Sequence, residues 1–207
     1  MKQKFAFFDF DDTLIHGDSI KYLLKYYLKK HPLAILNFIA VGWHYIGHKL
    51  GNQPINKAKS SLLFPLKHMD DKELQFFFEK EVEPKYYSNV VAELKEKKQQ
   101  GYMIYIVSAS VEAYLRFCTL PVDCIMGTKV EIRNGVYTNK MIGKNCKNEE
   151  KVIRIMDDLN EKGMEIDYEN SYAYSDSTHD IPMLKLVKNR VRIDVTNGAM
   201  SSFIIKE

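Results

Sequence analysis

The chain has 207 residues, 45% of them apolar and 28% charged, which suits one compact unit with a modest insertion and excludes a disordered chain. Its 30 lysines and arginines are offset by 27 acids, so a formal charge of +3 gives no argument for a nucleic-acid partner. The cysteines, Cys118, Cys124 and Cys146, are odd in number and lack zinc-like spacing, and they read as reduced thiols of a cytoplasmic protein.

Residues 4–10 are short, aromatic and apolar, which predicts a buried strand with Asp9, Asp11 and Asp12 at its C-terminal end. That run is too short for a secretory leader and passes directly into acids. From Ser19 the pattern becomes helical: Tyr22, Leu23, Tyr26 and Tyr27 share a face, and His31-Pro32 ends the helix. Residues 33–43 start another helix, which contains Asn37 and falls short of the ~20 residues needed to span a bilayer. Residues 51–54 make a break, 58–63 read as helix, and Asp70 or Asp71 caps a helix holding Leu74, Phe76, Phe77 and Phe78.

Beyond Pro84 strands and helices alternate. A helix over 87–100 stops at Gly101, a β-rich run over 102–107 ends at Ser108, and 111–117 is helical. A short strand follows over 122–126. Residues 129–133 and 136–138 flank Asn134-Gly135, a hairpin signal. A helix over 149–162, a strand over 171–174 and a last strand over 191–195 complete the chain. The alternation predicts an α/β fold: a Rossmann-like parallel sheet with helices on both faces, residues 1–14 and 85–207, interrupted by a helical insertion over 15–84.

Three strands end in polar groups: Asp9 with Asp11, Ser108, and Asp176 with Asp180. In open α/β sheets ligands bind beyond the carboxyl ends of the strands, so these groups are expected to converge. Clustered carboxylates need a cation between them near neutral pH, and oxygen-only ligands suit magnesium rather than zinc. Magnesium commonly accompanies phosphate, because it offsets repulsion between an anionic nucleophile and an anionic substrate. Ser108, followed by Ala109, Ser110 and the expected helix, offers a hydroxyl and amides for phosphate oxygens. Lys151 adds a fixed positive charge.

These segments resemble a known family. Asp9-Phe10-Asp11-Asp12-Thr13 looks like the D-x-D-x-T motif of the haloacid dehalogenase superfamily, Ser108 its second motif, Lys151 its third, and Asp176-Ser177-Thr178-His179-Asp180 its fourth. The helical insertion resembles the C1 cap of that superfamily, and the region from Tyr172 to Leu184 resembles its phosphoserine-phosphatase-like branch. The resemblance implies that Asp9 attacks phosphorus and forms an aspartyl-phosphate, and that Asp11 protonates the leaving oxygen and then activates water. It implies that Thr13, Ser108, Ala109 and Lys151 hold the phosphate. It further implies that Asp9, Asp176 and the Asp11 carbonyl hold Mg2+, supported by Asp180. Positions 9 and 11 share strand parity, so Asp12, at a position that is often glycine in this motif, is expected to point away.

The insertion bears on the substrate. In the relatives that cleave phosphoserine, a glutamate shortly after the first motif and an arginine of the cap bind the amino acid. Here Asp18 stands near the first position and no arginine precedes Arg116, which argues against phosphoserine. The expected substrate is a small phosphorylated metabolite. Lys21, Lys25, Lys29, Lys30 and His31 lie beside the apolar residues 33–43, which end in Trp43. That segment either packs inside the protein or rests on an anionic bilayer. The second arrangement resembles bacterial phosphatidylglycerophosphate phosphatases and makes a phospholipid headgroup the alternative substrate. A non-catalytic phosphate- or lipid-binding module is the second alternative. His44 and His48, four apart with no third ligand nearby, read as ordinary surface or core histidines.

Overall fold

The computed structural model describes residues 2–51 and 55–205. The chain begins with β1 (Lys2–Gln3) and β2 (Phe5–Phe8). All four residues of β2 are apolar and fully buried, as a central strand covered on both faces requires. Its alternation divides the core: Phe5 and Phe7 enter one hydrophobic cluster with Tyr105, and Ala6 and Phe8 enter another with Tyr174.

A helical layer follows. Helix α1 (Ser19–Lys30) is capped by Asp18, whose side chain accepts from the Ile20 amide at 3.0 Å, and it carries Lys29 and Lys30 in its last turn. Pro32 then opens a 3-10 turn (Pro32–Leu36) that leads into α2 (Asn37–Lys49) and α3 (Ile55–Leu62). The break expected over 51–54 lies, from Asn52 on, outside the described residues. A second 3-10 turn (Phe64–His68) precedes α4 (Asp71–Phe77), and Asp70, one of the two expected caps, accepts from the Glu73 amide. From Ser19 to Lys85 the described residues form helices and turns and no strand.

The alternating part comprises α5 (Ser88–Gln99), β3 (Met103–Val111), α6 (Glu112–Leu115), β4 (Cys124–Thr128), β5 (Val130–Arg133), β6 (Val136–Met141) and α7 (Glu149–Glu161). It ends with β7 (Glu165–Ile166), β8 (Tyr172–Ser175), α8 (Ile181–Leu184), β9 (Asn189–Ile193) and β10 (Met200–Ser202). Six strands form the main sheet in the order β10-β9-β8-β2-β3-β4, parallel except for β10. This is the doubly wound α/β arrangement that the alternation predicted. The Asn134-Gly135 hairpin is present, with both residues at positive φ as a type I′ turn demands.

Three expectations need correction. Strand β3 does not stop at Ser108; it runs to Val111 with an irregular register against β4 after Val107, so helix α6 starts only at Glu112. The last parallel strand begins two residues early, at Asn189, and pairs with an unforeseen β10. The apolar 3-10 turn and α2 contain no buried residue, so packing inside the protein does not account for them.

Elsewhere the helical layer joins the core. Tyr26, Leu74, Phe77 and Phe78 share one cluster with Phe10 and Tyr114, and Phe77 meets the Tyr114 ring edge-on at 5.6 Å.

Candidate active site

Asp9 directly follows β2 and continues its ladder, its amide donating to the Tyr174 carbonyl at 3.0 Å. Lys151, in the first turn of α7, reaches across 142 residues of sequence to place Nζ 2.8 Å from Asp9 Oδ1. The same Nζ lies 2.7 Å from Asp180 Oδ1. Two of its three donors are thus engaged, leaving one for a ligand. The Lys151 side chain is 2% exposed, Asp180 3% and Asp9 13%, so Asp9 faces what opening there is. Burial lowers the Lys151 proton affinity, but Asp9 and Asp180 outweigh it and keep the ammonium charged beyond its usual range. Burial raises the Asp9 carboxyl well above the carboxylate range, against the pull of Lys151.

Asp11 is gripped at both oxygens. Oδ1 accepts from the Ser19 amide at 2.7 Å and Oδ2 from the Ser110 hydroxyl at 2.5 Å. Ser19 Oγ in turn lies 2.7 Å from Ser110 Oγ and 2.8 Å from the Tyr114 hydroxyl. Burial pushes the Asp11 carboxyl up to about 6, although the bond from Ser110 works in the opposite direction. Ser19, Ser110 and Tyr114 were not picked out from sequence as site residues. Ser110, in the second motif, carried the one signal that pointed to any of them.

The Ser108–Ser110 stretch is held without a helix. The Ser110 amide donates to Ser108 Oγ at 3.0 Å, in place of the helix N-terminal amides expected there. Gly127 on β4 presses against it: a Cβ at Gly127 would lie 2.7 Å from the Ser110 carbonyl oxygen. Ser108 and Ala109 line a cavity of about 120 Å3 together with Asp9, Asp11, Lys151 and Asp180. A cavity of about 260 Å3 shares Asp11, Ala109 and Lys147 with it and is also lined by Asp18, Ile20 and Lys59.

Two residues occupy places other than those expected. Thr13 is fully buried, and its hydroxyl accepts from the Asp176 amide at 3.1 Å and donates to Asp176 Oδ1 at 3.2 Å, so that hydroxyl anchors Asp176 instead of facing phosphate. Asp180 has both oxygens engaged, Oδ1 by Lys151 and Oδ2 by the Ser175 hydroxyl at 2.7 Å, which makes it a holder of Lys151 before anything else. Asp12 points away from Asp9: at φ 53° its carboxylate accepts from the Gly17 amide at 2.7 Å.

Could the site hold a cation? Asp9 and Asp180 meet one ammonium group and Asp11 lines the same cavity, so three carboxyl groups share it with one buried lysine. Among the described residues no three acid, histidine or cysteine side chains converge into a cage. A magnesium ion takes one or two carboxylates and fills its shell with carbonyl oxygen, water and phosphate, and the Asp9 carboxylate at the opening fits that donor set.

An open parallel sheet with carboxylates, a lysine and a serine gathered beyond its strand ends defines an α/β enzyme fold. The sequence matches the haloacid dehalogenase-like hydrolase model over residues 6–185, and the chain belongs to that family of enzymes. It is similar to a histidinol-phosphatase of Neisseria meningitidis serogroup C (strain 8013), 28% identical over 199 residues that cover 91% of this chain and 89% of that protein. Among solved structures it resembles a protein of unknown function from Bordetella pertussis Tohama I, with a TM-score of 0.75, 22% identity and coverage of 93% and 91% of the two chains. It also resembles a phosphoserine phosphatase captured as a phospho-aspartyl intermediate analogue, with a TM-score of 0.63, 18% identity and coverage of 93% and 87%.

Proposed function

We propose that the protein is a magnesium-dependent phosphatase that hydrolyses a small phosphomonoester through an aspartyl-phosphate on Asp9. The observation that carries this reading is the pairing of Asp9 with Lys151 at 2.8 Å, with Asp11 on the wall of the same cavity. An Asp9 oxygen forms a bond to phosphorus as the ester P–O bond breaks. Asp11 gives its proton to the departing alcohol oxygen. Its carboxylate then takes a proton from water, whose oxygen displaces Asp9 and releases inorganic phosphate. A carboxyl group near 6 exchanges a proton readily in both directions at neutral pH. Ser108, the Ala109 backbone and the remaining Lys151 donor hold phosphate oxygens, and Thr13 contributes by fixing Asp176.

Asp9, Asp176 and the Asp11 carbonyl would hold Mg2+, with Asp180 contributing through Lys151. The ion supplies charge compensation between nucleophile and phosphate when bound.

The larger cavity receives the body of the substrate. Asp18, Lys59, Asn145 and Lys147 are among its polar lining residues beyond Asp11, and the histidinol-phosphatase relative puts histidinol phosphate first in a substrate panel. A second reading, a phospholipid headgroup cleaved at a bilayer surface, is favoured by the exposed apolar face of α2. Phosphate release from p-nitrophenyl phosphate, histidinol phosphate, phosphoserine and a phospholipid monoester, with and without Mg2+, separates these readings. Turnover that survives Asp9→Asn, or no turnover of any ester with Mg2+ present, would falsify the catalytic reading.

A further inference from the structure

We infer that the 3-10 turn and helix α2 form a docking surface for an anionic lipid bilayer. Leu33, Leu36, Ile39, Trp43, Ile46 and Leu50 recur at spacings of three and four, and each is between 56% and 82% exposed. That spacing sets them on one helical face. The opposite face is the one the protein uses: Phe38 is half-buried and meets the Phe64 ring edge-on at 5.8 Å. An apolar stripe of this length is more than scattered surface hydrophobics, and it needs an occupant.

Charge identifies the occupant. From Ser19 to Met69 the sequence has eight lysines and no aspartate or glutamate. The nearly balanced charge of the whole chain hides this separation. Stripes spaced by three and four also pair helices in coiled coils, but two copies would bring together two lysine-rich segments in which Asp18 answers Lys21 and Glu73 answers Lys30 from outside the segment, and which carry no acid of their own. An anionic bilayer answers both features, taking the apolar stripe into its interface and the lysines against its headgroups. Trp43 and Tyr45 on α2 belong to the residue types that favour that depth. Helix α2 has 13 residues, about 20 Å, so it lies along the surface. No helix among the described residues is long and apolar enough to cross a membrane. Docking holds whether the phosphoester is soluble or a lipid.

Trp43 is the sole tryptophan, so its fluorescence reports on this surface alone. Mixing the full chain with vesicles of equal parts phosphatidylglycerol and phosphatidylcholine should shift Trp43 emission to the blue and expose it to quenching by brominated acyl chains. Binding should weaken in ~1 M salt, where screening acts within about 3 Å. Ile39→Glu with Ile46→Glu should lower vesicle affinity at least about tenfold, while hydrolysis of p-nitrophenyl phosphate is unchanged. The inference is overturned by an unshifted Trp43 spectrum with anionic vesicles at low salt, or by equal binding to pure phosphatidylcholine. A blue shift that follows protein concentration without lipid would assign the surface to a second copy. A shift only with an acidic protein would assign it to that partner. Either would overturn the inference too.

Discussion

Lys151 Nζ lies 2.7 Å from Asp180 Oδ1, and both side chains are almost wholly enclosed. Asp180 therefore neutralises a buried ammonium from behind while Asp9 meets it at the opening. Replacing Asp180 by Asn leaves that ammonium with one carboxylate, and breaking a buried pair costs about 3 kcal/mol. Thermal unfolding of Asp180→Asn should show Tm lowered by roughly 6–12 °C. An unchanged Tm would show that Lys151 does not depend on Asp180.

Ser110 acts through Asp11 and is a positioning residue. Its hydroxyl bond at 2.5 Å orients the carboxyl that exchanges protons. Ser110→Ala should lower kcat by roughly 10–100-fold, a part of what general acid–base catalysis supplies, with KM little changed. Ser110→Thr, which retains the donor, should recover most of the loss. A loss confined to KM, or no recovery with Thr, would count against positioning.

Asp12 sits at φ 53°, in the left-handed region that costs a non-glycine residue roughly 1–2 kcal/mol. Its bond from the Gly17 amide returns about 1.5–3 kcal/mol, as bonds to charged groups do. Asp12→Gly exchanges one effect for the other and should move stability by less than about 1 kcal/mol. Asp12→Ala retains the strain and loses the bond, and should cost about 2 kcal/mol. Urea unfolding of both variants measures the difference; equal losses would refute this account.

Burial pushes the thiols of Cys124 and Cys146 up to about 11, and that of Cys118 upward as well. A raised thiol pKa keeps the unreactive neutral form to higher pH, so the sign is protection below about 11 and reactivity above it. Native protein at pH 8 should react with iodoacetamide far more slowly than protein in urea, where thiols titrate near ~8.5. The native rate should rise about tenfold for each pH unit between ~8 and ~10. Equal rates at pH 8 in the two states would contradict the burial described here.

Legibility from sequence followed the range of the forces involved. That Asp9, Asp11, Ser108 and Lys151 meet at one cavity was readable because each stands where an apolar run stops or a helix starts, and local chemistry marks such places. The hydroxyl chain from Ser19 to Ser110 and Tyr114 was not, since its members are 91 and 95 residues from Ser19 and meet only in the fold. The Ser108–Ser110 irregularity was hidden because Val111 suits a strand as well as a helix, and Gly127, which crowds it, lies on another strand. The burial of Thr13 behind Asp176 is likewise tertiary. The apolar period of α2 was plain, but the same period describes a face turned inward and one turned to a partner.

The order of strands in the sheet has a consequence for synthesis. The chain makes its most apolar strand, Phe5–Phe8, well before the neighbours of that strand, β3 and β8, whose residues emerge about a hundred and about 165 positions later. Until they emerge, the growing chain carries three phenylalanines and an unpaired strand edge, the sort of segment that nucleates aggregation. On the proposed reading the site is incomplete until β8 docks, because Asp176 directly follows that strand.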